Sequence, residues 1–178
     1  MTSRSWLLAL GTAALLPFAA QAAPERTFPS EEGTLKVATL AEGLKHPWAL
    51  AFLPDNQGIL VTERQGNLRV IGAEGRVGAP LSGVPEVWAK GQGGLLDVVL
   101  SPTFKQDRLV YLSYAEGGGE GGKAGTAVGR GRLSADLASI EDFNVIFRQM
   151  PKLSTSNHFG SRLVLSLIHI SEPTRLRR

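Results

Sequence analysis

Residues 48–54 read WALAFLP and are followed at 60–64 by LVTER; residues 95–102 read LLDVVLSP and are followed at 109–114 by LVYLSY. Each pair is an apolar run closed by a proline, then a second apolar run a few residues on. Pro54 and Pro102 are 48 residues apart. A recurring unit of about 40–50 residues with some four strands has the size of one β-propeller blade. A blade cannot bury both of its faces alone, so it needs neighbours in a closed ring. Further short runs at 35–40, 59–62, 68–71 and 126–133 alternate with Asp55-Asn56-Gln57-Gly58, Gln65-Gly66-Asn67 and Ala73-Glu74-Gly75. Runs rich in Val, Leu, Thr and Tyr, without a sustained helical period, read as antiparallel meanders joined by tight turns. The expected class is all-β. A β-sandwich is the alternative that the 142 residues 23–164 could also build; the repeat favours propeller blades.

Composition narrows the partners. The formal charge of +3 comes from the ends: Arg4 in residues 1–22, and Arg175, Arg177 and Arg178 against Glu172 in residues 165–178. The middle is left with 15 basic and 15 acidic residues. Such a balance offers no field to attract nucleic acid or an anionic membrane. Cysteine is absent, so disulfides, thiolate nucleophiles, Cys-based zinc sites and a lipidated cysteine are all excluded.

The N-terminus carries Arg4, an apolar stretch over 6–20 interrupted by Gly11 and Pro17, and then Ala20-Gln21-Ala22. A short apolar core ending in a small-x-small site is the form of an export signal, here cleaved after Ala22, and it is too short for a membrane span. The expected location is periplasmic or secreted. At the other end, 165–175 read LSLIHISEPTR, followed by LRR. That string resembles the conceptual translation of a sequencing adapter, which places the end of the native sequence near Val164 and removes weight from His169. The expected organisation is therefore a signal at 1–22, the blades at 23–164 and a non-native tail at 165–178.

Three segments could carry chemistry. Gly117-Gly118-Gly119-Glu120-Gly121-Gly122-Lys123-Ala124 approaches a phosphate loop, but Ala124 stands where a hydroxyl belongs and another strand follows where a helix should start. It reads as a flexible hairpin loop. In Gly91-Gln92-Gly93-Gly94-Leu95-Leu96-Asp97 a glycine cluster leads into a strand, so the backbone can turn sharply while one amide side chain projects. In Ser156-Asn157-His158-Phe159-Gly160-Ser161-Arg162-Leu163 a histidine, able to change proton state near neutrality, sits on a polar approach to a strand. Taken singly, neither residue is decisive, and both are compatible with an ordinary surface.

Taken together the strings are specific. WALAFLPD, VTERxG, GVPEV, GQGGLLDVVLSP, VYLSY and NHFGSRLV occur in this order between about Leu35 and Val164. The run resembles the N-terminal part of the PQQ-dependent glucose and aldose sugar dehydrogenases, the glucose/sorbosone dehydrogenase family. That resemblance implies a six-bladed propeller, of which this chain would hold about two blades and the start of a third. It also implies pyrroloquinoline quinone (PQQ) over the central channel, calcium in support, and an aldose sugar above the quinone. By the same resemblance His158 is the catalytic base and Gln92 lies beside substrate and quinone. Asn157 stands where glucose-specialised members carry an acid, which points to the broader aldose branch. The family's remaining quinone-binding cations and its calcium ligands have no counterpart here, so no metal ligand is assigned, and as written the chain is expected to be inactive. The electron acceptor is unknown. Two other functions fit the same scaffold: a lactonase-type hydrolase using metal-bound water, and a non-catalytic binding propeller.

Overall fold

The computed structural model describes residues 26–118 and 121–166, so the expected signal at 1–22 and most of the expected tail lie outside the described residues. The described residues up to Thr39 belong to one compact unit and those from Leu40 to a second. The first unit contains a hairpin of β1 (Arg26–Ser30) and β2 (Gly33–Val37), every residue of which is exposed. β1 was not anticipated from the sequence: RTFPS holds a single large apolar residue and a proline.

The second unit consists of two antiparallel meanders. One is three-stranded, in the order β3 (Pro47–Phe52), β4 (Ile59–Glu63), β5 (Asn67–Ile71). The other is four-stranded, in the order β6 (Leu95–Leu100), β7 (Leu109–Gly117), β8 (Ala124–Leu133), β9 (Ile140–Arg148). Sequential strands pair with their neighbours throughout, as in propeller blades. A single helical turn, α1 (Phe104–Asp107), precedes β7. β9 went unpredicted because IEDFNVIFR is mostly exposed and breaks strict alternation with Glu141-Asp142.

The two sheets share one core. Leu60 and Leu68 from the first meander, with Leu81 from the connection that follows it, pack with Leu95, Val98, Val110, Leu112, Tyr114, Ala127, Leu133 and Ile140 from the second. Burying each such side chain contributes about 1.5–3 kcal/mol. The outward face of β3 lacks a cover: Trp48, Leu50 and Phe52 are 37, 55 and 70% exposed. Ile146 and Phe147 on β9, and Met150 and Leu153 after it, are similarly exposed. In a propeller ring, apolar sheet faces of this kind are covered by the neighbouring blades.

The 48-residue repeat reappears in detail. The β3–β4 register shifts between Pro47 and Leu50, and the β6–β7 register shifts between Leu95 and Val98, which are the equivalent positions. A hydroxyl fills each irregularity. Thr62 Oγ1 accepts from the Ala49 N–H at 3.0 Å and donates to the Leu96 carbonyl of the next sheet at 2.7 Å. Ser113 Oγ accepts from the Asp97 N–H at 3.0 Å and donates to the Ser161 carbonyl at 2.6 Å. Ser161 thus occupies, relative to the second sheet, the place that Leu96 occupies relative to the first. Residues 160–166 have no ladder partner among the described residues and form no strand.

Candidate active site

The glycine-rich approach to β6 turns as its sequence demands. Gly94 has φ 141°, and a β-carbon there would overlap the Arg64 carbonyl oxygen. Only glycine satisfies both conditions. The tight passage lets the Leu95 N–H reach the Arg64 carbonyl at 3.0 Å, and the Arg64 guanidinium returns to donate to the Gly91 carbonyl. Gln92 is thereby held at the surface, on the face where the first strands of both sheets begin.

The second approach loop arrives beside it. From β9 the chain returns along the end of the four-stranded sheet, where Leu153 and Ala124 exchange two backbone hydrogen bonds at 3.0 Å. Lys152 Nζ donates to Glu116 Oε2 and to the Gly117 carbonyl, both at 2.8 Å, and Arg148 Nε donates to Glu116 at 3.0 Å. Burial alone would raise the Glu116 carboxyl, but these two cations outweigh it and hold the group below the usual glutamate range. Trp88 packs on Phe159 with ring centroids 5.7 Å apart, anchoring the residue after the histidine.

Two of the three site residues expected from sequence meet directly. The Gln92 N–H donates to the Ser156 carbonyl at 2.8 Å, and Gln92 Oε1 accepts from the His158 N–H at 2.9 Å. With its carbonyl oxygen engaged, the exposed Gln92 amide retains its NH2 group as a donor. His158 is exposed, with φ 63°. Asn157 is exposed as well, and its backbone N–H caps onto Thr155 Oγ1 at 3.2 Å. Arg64 and Arg162 are already committed to protein oxygens, Arg162 Nη1 lying 2.8 Å from Asp97 Oδ1 and its guanidinium 5.2 Å from the centre of the Trp48 ring.

The glycine-rich segment is a hairpin connection: Gly117 pairs with Ala124 across β7 and β8, and no helix follows. Gly119 and Glu120 lie outside the described residues. Among the described residues no group of three or more His, Cys, Asp or Glu side chains could hold a metal ion, and no helix is long and apolar enough to cross a membrane.

Comparison with known proteins decides the lineage. The family model described as Glucose / Sorbosone dehydrogenase matches residues 44–169. The chain belongs to the glucose/sorbosone dehydrogenase family. Within that family it is 64% identical over 131 residues to an aldose sugar dehydrogenase of Escherichia coli, covering 74% of this chain and 35% of the relative. The crystal structure of the soluble E. coli aldose sugar dehydrogenase in its apo-form matches with a TM-score of 0.68 at 65% identity, over 71% of this chain and 36% of that one. A PQQ-bound aldose sugar dehydrogenase from Streptomyces coelicolor matches with a TM-score of 0.56 at 29% identity, over 65% and 34%. The chain thus spans about a third of the length of the curated relatives it matches. Both sheets and the Gln92–His158 pair fall inside the glucose/sorbosone dehydrogenase match.

The sequence reading missed the polar residues beneath the pair. Asp97, Ser113 and Thr126 all hold the backbone after His158. Asp97 had a visible signal, a single acid inside the apolar run LLDVV, because a carboxylate in such a run must find partners.

Proposed function

We propose that residues 23–164 are the opening blades of a six-bladed, PQQ-dependent dehydrogenase that oxidises aldose sugars to lactones in the periplasm, exported by a signal at 1–22 cleaved after Ala22. The observation that carries this reading is the pairing of an exposed histidine with an exposed amide through the His158 N–H and Gln92 Oε1, within a family match that covers both.

The donor set fits a quinone with a hydroxylated substrate above it. When bound, PQQ supplies the two-electron acceptor for the hydride leaving the sugar's anomeric carbon. His158 accepts the proton of the anomeric hydroxyl, so that loss of hydride and proton together leaves the lactone. A base poised near neutrality and within hydrogen-bond reach contributes roughly 10²–10⁴-fold. Gln92 donates from its NH2 group to a sugar or quinone oxygen. Asn157, neutral and exposed, places no acceptor-only carboxylate against a sugar hydroxyl, which suits a broad aldose range.

Three carboxylates on the cofactor require compensating cations. Arg64 and Arg162 are engaged with protein oxygens, so this segment supplies the proton acceptor and the amide, while charge compensation and calcium ligation fall to other residues. The stretch as written is accordingly assigned no turnover of its own, and residues 165–178 no role.

The test uses a full-length protein carrying this segment, reconstituted with PQQ and calcium and assayed by aldose-dependent dye reduction. His158→Ala is expected to lower turnover by about 10²–10⁴-fold while PQQ binding, followed by absorbance, is retained. Full activity in that variant removes His158 from the role of base.

A further inference from the structure

Three side chains of the four-stranded sheet converge on the backbone that follows His158. Thr126 Oγ1 donates to the Phe159 carbonyl, and Ser113 Oγ donates to the Ser161 carbonyl at 2.6 Å. Asp97 accepts the Leu163 N–H at 2.7 Å through Oδ2 and Arg162 Nη1 at 2.8 Å through Oδ1.

The turn they hold is strained. His158 and Ser161, neither of them glycine, have φ of 63° and 124°, with Gly160 between them at 64°. Residues with a β-carbon avoid this half of conformational space, and strained positions persist only where the surroundings over-determine them. Ser161 Oγ contributes nothing to the restraint, being buried without a hydrogen-bond partner among the described residues. The turn is held from outside.

Asp97 is the central restraint. It is 1% exposed and interrupts the apolar run of β6, a place where a carboxylate is tolerated only when charge and lone pairs are both met. Both of its oxygens are spent on residues 162 and 163, and its own N–H engages Ser113, the residue that holds Ser161. Arg162 continues the chain of contacts to the Trp48 ring on β3, so one carboxylate links the first strands of two sheets to the segment behind the histidine.

We propose that Asp97 is a positioning residue for His158: with Ser113 and Thr126 it clamps the strained turn of residues 158–161 and so fixes the base beside Gln92. The inference rests on the reading of His158 as the base. A reacting group displaced by about 1 Å loses on the order of 10²-fold in rate, so loosening the clamp acts on kcat and spares KM.

The experiment compares Asp97→Asn, Ser161→Gly, the double variant and His158→Ala in the full-length protein, loaded with PQQ and calcium for kinetics and PQQ-free for amide hydrogen exchange. Asp97→Asn turns an NH2 group toward one of two donors and removes the charge facing Arg162. It is expected to lower kcat by roughly 10–100-fold with KM nearly unchanged. Exchange in peptides covering 156–164 accelerates while exchange in peptides of β3 to β5 is unchanged. Ser161→Gly relaxes the turn without deleting a hydrogen bond, so in the Asp97→Asn background it restores a measurable part of kcat. A purely structural role for Asp97 would not give that rescue.

Wild-type kcat and wild-type exchange in Asp97→Asn, alongside an inactive His158→Ala, overturn the proposal and leave the base assignment intact. A fully active His158→Ala overturns the base assignment, and with it the positioning role, even where exchange shows that the clamp exists. Should Asp97→Asn fail to fold, Thr126→Val removes the Phe159 restraint without exposing a buried charge. Faster exchange and a lower kcat there support the clamp, and no change in either overturns it.

Discussion

Replacing Thr62 with valine isolates one side-chain contact between the two sheets. The Thr62 hydroxyl is fully buried, receives the Ala49 N–H at the β3 irregularity and donates to the Leu96 carbonyl of the next sheet. Valine keeps the shape and deletes both bonds, leaving a buried donor and a buried acceptor unmet. Each such group costs roughly 1–3 kcal/mol, and the added methyl returns about 0.8 kcal/mol. The expected loss is therefore about 1–5 kcal/mol. Thr62→Ser keeps both bonds and loses only a methyl, so its expected loss is about 0.8 kcal/mol. The assay is urea unfolding of the full-length protein carrying each variant, with the shift read at the midpoint and the slope checked for constancy. If Thr62→Val is as stable as Thr62→Ser, the hydroxyl does not link the blades and the account of the repeat is wrong.

Gln92→Glu and Gln92→Ala separate the two functions of the site amide. The first keeps an acceptor for the His158 N–H and loses the NH2 donor, so it should retain more turnover than the second, as steady-state kinetics on several aldoses will report; equal losses would mean that the bond to His158 is irrelevant. Gly94→Ala is expected to abolish folding or cost more than about 3 kcal/mol, because it combines positive φ with overlap on a backbone carbonyl; a soluble variant with an unchanged melting midpoint would contradict the geometry. Glu63 carries a pH dependence. Burial pushes its carboxyl up, but the Lys45 N–H, Arg69 and Asn67 together bring it below the usual glutamate range. A depressed folded value means that the ionised group's contribution is present above the unfolded value and lost as pH falls through the folded one. Glu63→Gln should therefore be less stable than the parent at neutral pH and converge with it under acid; a stability gap independent of pH refutes the assignment.

Much of the architecture was legible because it is written in local patterns. The seven strands expected at 35–40, 48–53, 59–62, 68–71, 95–100, 109–114 and 126–133 all occur, with ends shifted by up to three residues. Period-two burial and turn residues are short-range signals. β1 and β9 escaped because exposed strands carry little such signal, and the strand expected after residue 160 does not form among the described residues, where it has no ladder partner. The Gln92–His158 pair was reachable only through ordered motifs, since no spacing rule connects positions 66 residues apart.

The sequence by itself determined the all-β class, the 48-residue repeat, the hairpin connection at 117–124, and the family. These follow from composition, periodicity and contiguous strings, which are properties of neighbouring residues. The tertiary structure alone decided which polar groups meet. It brought the Gln92 amide to the His158 backbone, filled equivalent irregularities with Thr62 and Ser113, and spent the buried Asp97 carboxylate on the far side of the histidine turn. A buried polar group must find a partner, but which partner depends on the packing of sheets rather than on distance along the chain.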